Sequence, residues 1–161
     1  MKQVHIYTDG ACSYNPGPGG WGAVLIYNKS EKQISGSAKN TTNNRMELFA
    51  PIMALKQLKE ECEVTIFTDS AYIHNAFTKG WITTWQNNNW RTTSKKPVAN
   101  VDLWKMLLSA VNGHKVNWVK VKGHSDNKYN NICDKLAVNE VKKIKKKQKY
   151  KTSVFFYFLL F

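Results

Sequence analysis

Arginine is almost absent from this 161-residue chain, with Arg45 and Arg91 alone among 24 basic residues. Lysine is a point charge where arginine is a planar fork, so a basic protein of this composition suits phosphate contact more than the reading of base edges. Cysteine is scarce as well. Cys12, Cys62 and Cys133 are odd in number and lack metal-ligand spacing, which argues against a disulfide framework and fits a reducing compartment. No leader is apparent, because "MKQVHIYTDG" moves directly into strand alternation with an acid in it, and a cytoplasmic location is expected. Long apolar runs are missing too. The octet from Val154 to Phe161 is apolar except for one tyrosine hydroxyl, whereas a spanning helix needs roughly 20 such residues, so no transmembrane segment is expected.

Acidic residues number only eleven against a formal net charge of +13. The excess is uneven. Seven lysines lie within Lys142–Lys151, and without the residues from 142 onward the charge falls to +6, with 17 basic side chains facing 11 acidic ones. A body that remains basic points to a polyanionic partner such as nucleic acid. A length of 161 residues buries one sizeable core rather than two. The expected organisation is a domain over 1–141 and a Lys-rich, then apolar, extension over 142–161.

Periodicity orders the elements. "QVHIYTDGAC" alternates Val4 and Ile6 against His5, Tyr7 and Asp9, the two-residue period of a strand. The turn-rich "SYNPGPGG" follows, then "WGAVLIYN" and "EKQISGSA", so three strands with short links predict an antiparallel meander. "NNRMELFAPIMALKQLKEE" sets Leu48, Ile52 and Leu55 on one stripe and predicts a helix capped by Asn43 or Asn44, with a possible kink at Pro51. "EVTIFTDS" comes next. A strand reached through a helix can lie parallel to the first, which would bring Asp69 to the same sheet edge as Asp9. A short helix near "AYIHNAF", a Trp-rich stretch, a helix "NVDLWKMLLSAV", a strand "KVNWVKVKG" and a last helix containing "NICDKLAVNEVKKI" complete the order.

The motifs "YTDGAC", "TTNNRMEL", "TDSAYI", "VKGHS" and "NICDKLA", in this order over roughly residues 3 to 141, resemble ribonuclease H of the type I family. The stretch from "GWITTW" through "SKKPVANVDLW" is similar to the helical handle of its bacterial members. The resemblance implies a mixed α/β, RNase H-like fold with a five-stranded mixed sheet flanked by helices. It also implies a magnesium-dependent endonuclease that cuts the RNA strand of RNA–DNA hybrids to 5′-phosphate and 3′-hydroxyl ends. A monomer is expected.

The chemistry has its own support in the residues. Asp9, Glu47, Asp69 and Asp134 are four carboxylates that a mixed sheet could gather at one edge. Such a cluster repels itself unless a cation sits in it, and ligation by oxygen alone suits Mg²⁺ or Mn²⁺. Two ions about 3.5–4 Å apart could serve an in-line phosphodiester displacement, with Asp9 bridging them. Each acid also has a plainer use: Asp9 or Asp69 in a turn or cap, Glu47 in a capping box with Asn44, Asp134 as a first-turn acid on the helix dipole. His124, in "VKGHSDN", has a side chain suited to proton transfer near neutrality, and the resemblance gives it an auxiliary part in water activation or product departure.

For the substrate, an RNA strand is distinguished by 2′-hydroxyls in a shallow minor groove, which calls for short polar groups. Cys12, Asn15, Asn43 and Asn44 are short enough, and the resemblance sets them along that groove. It sets Thr42 and Asn100 in a phosphate pocket and Trp81 and Trp85 along the DNA strand, although tryptophans at i and i+4 also serve as packing. Lys95 and Lys96 supply local positive charge. The chain departs from relatives at Asn40, where arginine is usual, at Ala71, at Asn131, and in the neutral "WQNNNW". The alternatives are a reverse-transcriptase-type RNase H domain and a non-catalytic hybrid-binding module, the latter expected to have lost a carboxylate.

Overall fold

The computed structural model describes residues 1–123 and 126–159, with side chains except at 156–158. Three strands open the chain: β1 (Lys2–Cys12), β2 (Gly17–Tyr27) and β3 (Ser30–Thr41). They form the expected antiparallel meander. After α1 (Asn43–Leu55), β4 (Cys62–Thr68) lies parallel to β1, and β5 (Lys115–Lys120) lies parallel to β4. Between β4 and β5 run α2 (Ala71–Thr78), α3 (Trp81–Asn87) and α4 (Val101–Val111). The sheet order is β3-β2-β1-β4-β5, a mixed five-stranded sheet of the predicted kind.

Strand alternation divides the core between the two faces of this sheet. Val4, Ile6, Val64 and Ile66 pack with Leu48, Ile52 and Leu55 of α1 and with Leu103, Trp104 and Leu107 of α4. Tyr7 and Val24 point the other way, onto Cys133 of the last helix. The Leu48, Ile52 and Leu55 stripe is buried, as its spacing predicts. Each such side chain contributes about 1.5–3 kcal/mol on burial. The handle tryptophans join the first core: Trp85 meets Trp104 at 5.3 Å and Trp81 and Trp90 at 6.2 Å each between ring centroids.

Two local expectations need correction or extension. The cap of α1 is neither Asn43 nor Asn44 but Thr42, whose hydroxyl accepts from the Arg45 amide at 3.3 Å. A threonine with extended backbone just before the helix satisfies an otherwise orphaned amide, which leaves both asparagine side chains exposed on the first turn. The helix then runs through Pro51 to Leu55. The last helix, α5, spans Lys128–Leu159 and so continues across the 141/142 position without a break. Cys133, Ala137 and Val141 are its buried stripe. Beyond them Ile144 is half-buried and the other described side chains are exposed. Among the described residues no helix is long and apolar enough to cross a membrane.

Candidate active site

Register brings the two strand-end aspartates together. Tyr7 pairs with Phe67 across the parallel β1–β4 ladder, so Asp9 and Asp69, each two residues further on, arrive at one end of adjacent strands. The third acid is delivered by a close approach of backbone. A Cβ at Gly10 would lie 2.5 Å from the Glu47 amide nitrogen and 2.7 Å from the Met46 carbonyl carbon. Only glycine permits this contact, and it seats the first turns of α1 directly on β1 beside Asp9. The fourth comes from the opposite face. Gly22, the partner of Asp9 across β1–β2, would place a Cβ 2.6 Å from Leu136 Cβ and 2.7 Å from the Cys133 carbonyl oxygen, which lets α5 press against β2 at the level of Asp134.

Ligand oxygens of Asp9, Glu47 and Asp69 lie within 4.8 Å of one another. Asp134 stands outside that tight group but lines one small pocket with Asp9, Asp69, Thr8, Asn130 and Asn131. Glu47 is 6% exposed, and its Oε2 and the Asp69 Oδ1 are buried without a hydrogen-bond partner. Burial, then the Asp69 charge, pushes the Asp9 carboxyl up to about 7, against a donated hydrogen bond from the Gly10 amide at 2.8 Å. Burial and the charges of Asp9 and Asp69 hold Glu47 well above the usual carboxylate range. Buried carboxyl oxygens that converge with no donor to meet them are costly by themselves and favourable around a cation. An all-oxygen donor set fits a hard divalent ion such as Mg²⁺ or Mn²⁺.

The plainer uses of these acids do not match the geometry. Ser70, not Asp69, caps α2, its hydroxyl accepting from the Ile73 amide. Thr42 occupies the cap that a Glu47 capping box would need. The start of α5 is held by Asn127 Oδ1, which accepts from the Tyr129 and Asn130 amides, and no acid sits in its first turn. His124 lies outside the described residues.

The expected substrate residues fall into three places. Cys12 ends β1, and Asn15, in the β1–β2 turn, accepts from the Asn43 amide at 2.8 Å, which ties that turn to α1. Thr42, Asn43 and Asn44 form the start of the same helix. Asn100 precedes α4 with a left-handed backbone, φ 60°. Its Oδ1 accepts from Arg45 Nη1 at 3.3 Å and its amide nitrogen donates to the Tyr72 hydroxyl at 3.4 Å. Trp81 and Trp85 are half-buried on α3, and Lys95 and Lys96 are exposed at the handle's tip. The two tryptophans pack with the core and keep part of their surface exposed.

Arg45 is the residue that sequence reasoning missed. Its guanidinium grips Asp102 in a two-pronged pair, at 3.0 and 2.7 Å, while also holding Asn100. That fork fixes α1 to α4 and so sets Thr42 and Asn100 relative to each other. Its rarity was the available signal, since a lysine-rich chain that keeps an arginine in the body has a geometric use for one. Asn130, which lines the carboxylate pocket with Asn131, had no comparable sign.

The RNase H family model matches residues 1–142. A ribonuclease H of Acetivibrio thermocellus is 60% identical over 147 residues, covering 91% of this chain and all of that protein. One from Caldanaerobacter subterraneus subsp. tengcongensis is 61% identical over 140 residues, covering 87% and 92% respectively. Among solved structures, the LC9 type 1 RNase H superposes with a TM-score of 0.80 at 30% identity, covering 89% of this chain and 74% of that one. The chain belongs to the RNase H family, and the cluster of carboxylates at its strand ends supports a hydrolytic function of that kind.

Proposed function

We propose that this RNase H family member is an endonuclease that hydrolyses the RNA strand of RNA–DNA hybrids, leaving 5′-phosphate and 3′-hydroxyl ends. The observation that carries the reading is the convergence of Asp9, Glu47 and Asp69 within 4.8 Å with two buried oxygens lacking partners. Catalysis belongs to the domain over 1–141, with 142–161 as its extension.

Asp9, Glu47, Asp69 and Asp134 would hold two Mg²⁺ ions, or Mn²⁺ in their place. When bound, the ions supply Lewis-acid activation of water and neutralise charge building on the phosphate. The chain's own groups do the rest. Cys12, Asn15, Asn43 and Asn44 border the minor groove of the hybrid, where short polar side chains meet 2′-hydroxyls. Thr42 and Asn100, set by the Arg45 fork, receive a DNA phosphate. Trp81 and Trp85 offer ring edges to DNA sugars, with Lys95 and Lys96 beside them. His124 moves a proton to or from the reacting oxygen or assists product departure.

Labelled RNA–DNA hybrid, duplex RNA and duplex DNA, each incubated with Mg²⁺ and then with chelator, test the reading. Cleavage confined to the RNA of the hybrid and abolished by chelator is expected. Cutting of duplex DNA, or hybrid cleavage that survives chelation, overturns it. Hybrid binding with no cleavage in Mg²⁺ favours the non-catalytic module.

A further inference from the structure

The extension of α5 has no structural duty that accounts for its charge. From Val141 onward the sequence contains seven lysines and no acid. Of these seven lysines, among the described residues, only Lys143 pairs with a carboxylate, Glu140 one turn back at 3.2 Å. The apolar stripe that seats α5 on the sheet ends with Val141 and a half-buried Ile144.

Its course places these lysines beside the substrate-facing turn. Along α5, Ala137 and Glu140 meet Gly20 of β2, Glu140 accepts from Ser35 of β3 at 2.9 Å, and the Lys145 ammonium stands 5.8 Å from the centre of the Tyr14 ring. Tyr14 is the neighbour of Asn15, which is bonded to α1. The β1–β2 turn is therefore flanked on one side by the start of α1 and on the other by the lysine-bearing turns of α5. Lys39, near the end of β3, faces the extension across a groove of about 540 Å³ that Lys143, Ile144, Lys147 and Lys151 also line. The groove is thus lined by five lysines, one from the body and four from the extension, and by no acid.

We infer that the α5 extension is a second phosphate-binding rail that holds the sugar–phosphate backbone of the hybrid outside the cleavage site, beyond the β1–β2 turn. This rests on the reading of the chain as a hybrid nuclease. Residues 142–159 span about 27 Å at 1.5 Å per residue, or roughly eight base pairs at 3.4 Å. Lysine ammoniums suit such contact because it needs charge rather than a fixed hydrogen-bond geometry. The exposed Phe155 and Leu159 at the far end raise an anionic lipid surface as the competing occupant. The nucleic acid is favoured because the lysines adjoin the turn that carries Asn15.

The test compares the native chain with a K145Q/K146Q/K147Q/K149Q variant, glutamine being as good a helix former as lysine. Binding is measured in chelator across a salt series, on a hybrid of about 20 base pairs and on one of about six, below the reach estimated above. On the longer hybrid the variant should bind at least about tenfold more weakly, with the log–log salt slope flattened by up to about 0.9 per phosphate contact removed. On the short hybrid the two should converge. Equal affinity and equal slope on the long hybrid overturn the rail. A loss seen only with vesicles containing anionic lipid, and not with hybrid, overturns it in favour of a membrane contact. Cleavage is assayed separately with Mg²⁺: if neither protein cuts while the binding difference persists, the nuclease reading falls and the rail stands.

Discussion

Two regions of this molecule carry charge of one sign with little opposite charge to meet it, and they behave differently. At the strand ends, Asp9, Glu47 and Asp69 crowd within 4.8 Å, largely shielded from water. Their proton affinities respond: Asp9 rises to about 7 and Glu47 goes well above the usual range. On α5, seven lysines stand close in sequence, but those described are exposed, and water screens like charges there at small cost. Burial turns unpaired charge into a demand for a counter-ion. Exposure does not, so the case for the lysines has to rest on where the helix carries them.

The largest expected effect is at the buried cluster. Asp69→Asn keeps shape and hydrogen-bonding capacity but removes a charge, so cleavage in Mg²⁺ should fall by more than the roughly 100-fold that loss of support around a metal ligand costs. The same change should raise the melting temperature of the metal-free protein, because one of three repelling carboxylates is gone. Normal turnover by this variant would remove the basis of the comparison. The four lysine-to-glutamine changes on α5 should each move stability by no more than about 0.5 kcal/mol, as expected of surface sites.

Next in size is Gly10→Ala. The added methyl would overlap the Glu47 amide and Met46 backbone, so α1 must shift from β1. Overpacking of this kind costs about 1–3 kcal/mol, and Glu47 would leave the cluster. Chemical denaturation should show the destabilisation, and Mg²⁺ titration a weaker site. Unchanged stability would mean that the approach of α1 is not what sets the acid in place.

His124→Ala should slow turnover by roughly 10²-fold or less, the range of general acid–base groups. Metal affinity, measured by calorimetry, should be unchanged, since proton transfer does not require holding the ion. Lost Mg²⁺ binding would move His124 into the buried cluster.

The last effect is graded and depends on pH. The Asp9 carboxyl has an ordinary value of 3.8 and stands at about 7 in the folded chain. Between these values the folded state binds a proton that the unfolded state has released. The Asp9 contribution to the stability of the metal-free protein is therefore fully present below about pH 4 and is lost as pH rises towards 7, by up to about 1.4 kcal/mol per pH unit. Mg²⁺ should oppose that loss most strongly above pH 7, where protons no longer compete for the carboxylates. A melting temperature flat with pH in chelator would show that the cluster is better solvated than its burial indicates.

Much of this architecture was legible before any coordinates. The two-residue alternation of Val4 and Ile6 and the stripe of Leu48, Ile52 and Leu55 are local signals, since burial on one face imposes a period that the chain must display. The repeat of "TDG" and "TDS" after apolar runs likewise pointed to strand ends, and the Tyr7–Phe67 register brings those ends together. The cap of α1 is not legible in the sequence, because Thr42, Asn43 and Asn44 are all competent caps and only the backbone angles of Thr42, φ −126° and ψ 163°, select one.

What the sequence by itself determined is the order of elements, their faces, and which residue types were available for chemistry. The tertiary structure alone decided that three acids share one small volume, that Arg45 clasps Asp102 and Asn100 from α1 to α4, and that α5 carries its lysines past the β1–β2 turn. Periodicity records only whether a face is buried. The partner that buries it, and the charges left facing one another when it does, depend on contacts between residues far apart in the chain, and those leave no local period to read.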